Sequence, residues 1–140
     1  MTDVELVEKR LAFIESCLRD LRRIARPAEL LTDVREERFV EHTLQLAIQS
    51  ILDVAAHIVS DERLGEPATN RELFDRLSRA DWISADLAAR VSNMAGFRNV
   101  LVHGYTDIDL SIVADLVLNH LGDFDEFAAA IRAKLTSSGE

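Results

Sequence analysis

Along most of this chain apolar residues recur at alternating spacings of three and four, the period of a helix with one buried face. The first such stretch is Val4, Val7, Leu11, Ile14, Leu18, Leu21 and Ala25. It predicts a helix over about residues 3–25, opened by a Thr2/Glu5 capping box and stopped at Pro27. Leu6, Phe13, Cys17 and Ile24 lie off that seam and suggest a second contact. Asp33 with Glu36 starts a second helix, about residues 34–60, which past Leu44 is apolar on nearly every side. Such a helix is either central to a bundle or divided between its own core and a partner. Residues 61–69, with Gly65 and Pro67, form the longest evident connection. Thr69 and Glu72 then box a short helix over about 70–79, built on Leu73, Phe74 and Leu77. Trp82 and Ile83 make a hydrophobic plug before a helix capped by Ser84, whose stripe is Leu87, Ala88, Val91, Met94 and Ala95. Asp107 or Asp109 begins the last helix, about 110–135, on Val113, Leu116, Val117, Leu121, Phe124, Phe127, Ile131 and Leu135, with His120 beside the stripe as a structural residue. The expected fold is all-α: one domain over residues 1–140, an antiparallel up-and-down bundle of four main helices plus one short helix.

One segment breaks the pattern. Continued past Met94, the apolar stripe should reach position 98, then 101 or 102, then 105, yet Arg98 and Tyr105 stand where leucine-like residues are wanted. An arginine on a core-facing stripe is costly unless an anion meets it or it lines a cleft. Asn99 and His103 fall in the same two turns and are i,i+4 neighbours if the helix persists. Gly104 suits a left-handed helix end that would project His103 and Tyr105. A conflict between pattern and residue is where function is expected.

Composition narrows the classes. The formal charge of −9 counts against a general nucleic-acid coating protein, whose affinity rests on neutralising phosphates. The charge is uneven: residues 106–140 hold seven acids against two bases, whereas residues 71–105 hold five arginines against four acids. An acidic body with a nearly neutral motif region fits a selective RNA enzyme or a protein-binding module better. The single cysteine, Cys17, excludes an internal disulfide and suits a reducing cytosol, so a cytoplasmic location is expected. The N-terminus lacks the basic start and apolar run of a signal peptide, and no window approaches an uninterrupted membrane span. Arg19, Arg22, Arg23 and Arg26 crowd the end of the first helix, where they complement its dipole or meet RNA or a partner protein. Asp53 and His57 share a face of the second helix, but a pair without a second cluster falls short of a metal site, and no metal or other cofactor is expected. Asp53 is instead expected to be a polar partner for Arg98.

Arg98, Asn99, His103 and Tyr105, set at the end of the penultimate helix of a small acidic helical chain, resemble the HEPN superfamily, and within it the HepT-like toxins of MNT/HepT toxin–antitoxin modules. The family motif is Arg, four to six residues, then His; here four residues separate Arg98 from His103. The resemblance extends over essentially the whole chain. It implies a type II/VII-like toxin that is a metal-independent endoribonuclease, with Arg98 and His103 catalytic and Asn99 supporting at the RNA phosphate; Asp53, as the partner expected for Arg98, is placed with the supporting residues. The chemistry suits these residue types. RNA carries its own nucleophile, the 2′-OH; an imidazole near its ordinary pKa can move the proton. A guanidinium offers fixed charge and forked donors to the phosphorane. In-line attack wants a base on one side and an acid on the other, and the motif supplies one histidine per chain. The resemblance accordingly implies a homodimer with a shared cleft. It also implies a cognate MNT-type nucleotidyltransferase antitoxin that transfers AMP to Tyr105. No glycine-rich phosphate loop or Gly-Ser transferase motif occurs here, so that enzyme is a separate chain.

The rivals are a non-catalytic HEPN binding module partnering a nucleotidyltransferase, favoured by the acidity, and a purely structural bundle with a satisfied Arg–Asp pair in its core.

Overall fold

The computed structural model describes residues 2–103 and 109–138. Among the described residues the chain is helical throughout, with no strand: α1 (Val4–Ile24), α2 (Val34–Asp61), α3 (Asn70–Arg79), α4 (Ala85–His103), α5 (Leu110–Asn119) and α6 (Leu121–Ser138), with a 3-10 turn at Pro27–Glu29. The all-α expectation holds, the first three helices fall within a residue or so of the ranges that periodicity and caps predict, and α4 starts directly after its Ser84 cap.

The caps explain those bounds. The Thr69/Glu72 box is complete: Thr69 Oγ1 accepts from the Glu72 amide at 3.1 Å, and the Glu72 carboxylate accepts from the Ala68 amide at 2.6 Å. Ser84 Oγ accepts from the Leu87 amide at 3.0 Å, and Asp109 caps α5 through the Ser111 amide. Two expected details change. Asp3, not Thr2, caps α1 by accepting from the Leu6 amide, because Thr2 Oγ1 donates to Glu62 at the far end of α2. Asp33 caps α2 alone; Glu36 turns back to accept from the Arg26 amide at 2.7 Å, which ties the connection to the helix it feeds. Asp107 and Gly104 lie outside the described residues.

α1 and α2 run antiparallel, since their polar contacts occur in reverse order: Thr2 with Glu62, Arg10 with Asp53, Arg26 with Glu36. α6 also runs antiparallel to α1: Asp125, early in α6, meets Arg22, whereas Arg132 reaches back to Glu15 and Glu8. α2 packs against α1, α3 and α4 and is the central helix. Its apolar excess is core: Leu44, Ala47, Ile48, Ile51, Leu52, Val54, Ala55, Ile58 and Val59 are all buried within the chain. By length and composition alone α2 could cross a membrane, but here its apolar faces are covered by the other helices. Phe74 stands edge-on to Phe127, centroids 6.3 Å apart, and the Trp82–Ile83 plug is buried beneath the start of α4.

The main departure is the last helix. The stripe from Val113 to Leu135 belongs to two helices, broken at His120. Asn119 and His120 are indifferent helix formers, and both side chains turn to Asp115, at 2.7 and 3.0 Å. His120, at φ −124° and ψ 3°, leaves the helical region and caps α5, its amide still donating to the Leu116 carbonyl. The bend lets α5 lie on the Pro27–Glu29 turn while α6 packs along α1 and α4. The four-plus-one layout thus becomes six helices among the described residues.

Candidate active site on the fourth helix

α4 presents Leu87, Val91, Met94 and Leu101 to the core, all buried, and Arg98 takes the position on that stripe seven after Val91 and four after Met94. The consequence is visible in its hydrogen bonding. Its Nε is enclosed and has no partner, and Nη1 reaches only the neighbouring Asn99 Oδ1, at a long 3.4 Å. Among the described residues no carboxylate comes within ion-pairing distance of Arg98. A guanidinium half-buried in this state keeps donors free for an incoming anion.

The outward face of α4 beside it is low. A Cβ built on Gly96 meets nothing within 4 Å, Asn99 is exposed, and Val100 keeps 39% of its surface. Position 103 is in the last turn of α4, one turn beyond Asn99. The His103 side chain and all of Tyr105 lie outside the described residues. The structure therefore brings together Arg98 and Asn99 of the motif.

Asp53 does not join them. Its carboxylate accepts from Gln49 Nε2 at 2.9 Å and lies 4.0 Å from Arg10 Nη1 of α1. The expected Arg98–Asp53 pair is not formed, because Asp53 sits on the flank of α2 that faces α1. His57 turns to Asp61, with Nε2 2.9 Å from the carboxylate. Asp53 and His57 edge the same shallow depression with Leu6, Val7 and Arg10, and no group of three or more potential metal ligands occurs among the described residues.

A second arginine of α4 went unremarked in the sequence. Arg90 is held by three carboxylates, Asp86 on its own helix and Asp123 and Glu126 on α6. The hydrogen bonds it donates, first to Glu126 and then to Asp123, raise its pKa further above the usual arginine range. The i,i+4 spacing of Asp86 and Arg90 was the sequence signal for it. Next to this clamp a cleft of about 290 Å³ opens between α4, α5 and the start of α6. Asn93, Met94, Phe97, Ile112 and Leu116 form its body, with Asp115, His120, Asp123 and Arg90 at the rim. Asp115 is held below the usual carboxylate range by its bond from Asn119, helped by His120.

The bundle matches solved helical toxins of toxin–antitoxin pairs along nearly its whole length. A toxin–antitoxin crystal structure with AMP-PNP superposes with a TM-score of 0.86 at 28% identity, covering 92% of this chain and 98% of that one. A tri-AMPylated HEPN toxin from Shewanella oneidensis, in complex with its MNT antitoxin, gives 0.85 at 29% identity over 95% and 99% of the two chains. The fold therefore defines a HEPN-class toxin scaffold. The chain belongs to the ribonuclease HepT-like family, whose model matches residues 14–131. Among curated relatives, the tRNA nuclease HepT of Aphanizomenon flos-aquae is 33% identical over 113 residues, 78% of this chain and 77% of that protein. The mRNA nuclease HepT of Shewanella oneidensis is 28% identical over 131 residues, 93% and 98% of the two.

Proposed function

We propose that this chain is the toxin of a toxin–antitoxin module, a cytoplasmic, metal-independent endoribonuclease built on Arg98-x4-His103. The observation that carries the reading is the half-buried Arg98, whose Nε has no partner and whose charge no described carboxylate meets. The 2′-oxygen attacks the adjacent phosphorus, the P–O5′ bond breaks, and the products are a 2′,3′-cyclic phosphate and a 5′-hydroxyl. His103 moves the proton, Arg98 neutralises the phosphorane, and Asn99 donates to a phosphate oxygen or orients the imidazole. No cofactor enters these steps.

The second histidine comes from a second copy in this reading. The low face of α4, with Gly96, Asn99 and the half-exposed Val100, permits close approach of another α4 across a twofold axis. Most of the apolar surface of α2, the other dimer candidate, is taken up in the core. A separate MNT-type nucleotidyltransferase is the antitoxin, and Tyr105 is the residue it adenylylates; the added phosphate brings negative charge and bulk to the cleft RNA must enter.

The test is incubation of the purified chain with total RNA in EDTA, followed by mapping of the new termini. Cyclic-phosphate ends that survive chelation, and that disappear with His103→Ala, are the expected result. Intact RNA with both proteins, alongside growth unaffected by expression of either, would leave the non-catalytic nucleotidyltransferase-binding module in its place.

A further inference from the structure

The cleft between α4, α5 and α6 is not used by the chemistry above, yet it shares α4 with Arg98. Asn93, Met94 and Phe97 line it, and Asn93 precedes Arg98 by about 7.5 Å along the helix axis. At about 290 Å³ it lies at the small end of small-molecule pockets, large enough for one base and too small for a helix.

Its chemistry excludes a phosphate. Arg90, the one cation at the rim with a fixed charge, is already held by Asp86, Asp123 and Glu126, so the carboxylates outnumber it. What enters must be uncharged or cationic, flat enough to lie on Met94, Phe97, Ile112 and Leu116, and equipped with donors. Two groups can read such an edge. The Asn93 amide is exposed and has no partner among the described residues, so it offers both a donor and an acceptor. The Asp115 carboxylate is fixed by Asn119 at 2.7 Å and His120 at 3.0 Å and still has lone pairs to accept with. A nucleobase with an exocyclic amine satisfies all of these conditions, with the aromatic ring of Phe97 as its apolar contact. Uracil, with one imide N–H and no amine, can donate to Asp115 or to the Asn93 carbonyl but not to both, and so loses one of these bonds.

We propose that this cleft is a base-reading subsite that holds a nucleotide flanking the scissile phosphate and prefers adenine, cytosine or guanine to uracil. The proposal rests on the ribonuclease reading for its biological use, but the binding it describes does not need catalysis.

Two measurements separate the two. In the first, the full-length His103→Ala chain, labelled with nitrogen-15, is titrated with the four 5′-nucleoside monophosphates. Shifts at residues 93–97 and 112–116 are expected with AMP, CMP and GMP, and about fivefold weaker binding with UMP, the worth of one lost hydrogen bond. Asn93→Ala should weaken binding by a similar factor, and Ile112→Arg, at a half-exposed position on the cleft wall, should abolish the shifts. In the second, the wild type cleaves a randomised RNA pool, and uracil should be depleted at one position beside the cut. That depletion should level out in Asn93→Ala and Asp115→Asn. Shifts confined to other residues, or a flanking preference that both variants retain, overturn the subsite. If the wild type leaves RNA intact, the ribonuclease reading fails while the titration still decides the cleft. Absence of nucleotide shifts in the cleft of the His103→Ala chain itself, together with loss of the nucleotidyltransferase partner in Ile112→Arg, would assign the cleft to a protein contact and overturn the proposal as well.

Discussion

Arg90 and Arg98 stand little more than two turns apart on α4, and their electrostatic states are opposite. Arg90 has a carboxylate for each edge of its guanidinium, two of them delivered by α6, and only a third of its side chain is exposed to water. Arg98 carries the same group on the core stripe with no carboxylate among the described residues to meet it. The first arrangement holds two helices together. The second gives the fold less than a leucine there would, and that contrast is the ground for the catalytic role proposed for Arg98.

The largest effect expected from this contrast is on catalysis. Arg98→Ala should lower RNA cleavage on the order of a hundred- to a thousandfold, the usual cost of removing a donor aimed at developing charge. The assay is the rate of cyclic-phosphate formation in EDTA, and a rate within a few-fold of wild type would reduce Arg98 to a solvated surface charge. Arg90→Met should act on the other ledger: it leaves three carboxylates crowded without their cation, and the melting temperature should fall by several degrees. An unchanged melting curve would mean that the clamp is a surface ion pair of no structural consequence.

A smaller effect belongs to the third carboxylate-bound arginine. Arg132 joins α6 to α1 through Glu15 and Glu8, at 2.7 and 3.1 Å. The bond to Arg132 holds the Glu15 carboxyl below its ordinary range, against a smaller opposing push from burial. A carboxylate depressed in the folded state stabilises at pH values above its unfolded pKa, and that stability is lost as the pH falls through the folded value. Arg132→Met should therefore cost about 1 kcal/mol at neutral pH, a figure kept low by partial exposure, and should flatten the loss of stability between neutral and acid denaturation curves. Equal slopes for the two proteins would count against the pair.

The smallest effect is at Glu41, where Oε2 is enclosed without a partner. Burial first, and Glu37 one turn away second, push its carboxyl up. With the sign reversed, the folded state prefers the protonated group, and stability falls as the pH rises through the raised value. Glu41→Gln should then stabilise the chain at neutral pH by about 0.5 kcal/mol, measured by urea denaturation, with the difference vanishing in acid. Destabilisation at neutral pH would show that the carboxylate has found a partner.

How much of this was legible in the sequence follows from the range of each interaction. Helices α1 to α3 and the start of α4 could be bounded because caps and periodicity are local, and Arg98 was conspicuous because it interrupts a local stripe. The break at His120 was hidden: Val117, Leu121 and Phe124 keep helical spacing straight through it, and the turn is a backbone departure at His120 that the apolar stripe does not announce. The partner of Asp53 was misjudged for a similar reason. Nothing in the order of residues says that this flank of α2 faces Arg10 rather than α4. Arg90 showed only its Asp86 contact, since its other two carboxylates arrive from another helix. The same distance in sequence hid the cleft, whose walls are set by the bend between α5 and α6.

The most direct measurement of the central claim is the melting temperature of Arg98→Leu beside that of the wild type. An arginine held for an external anion predicts a variant at least as stable as the wild type, a leucine completing the stripe of Val91, Met94 and Leu101, while RNA is no longer cut. A fall of several degrees would show that the guanidinium is a structural element with partners of its own, and would contradict the account.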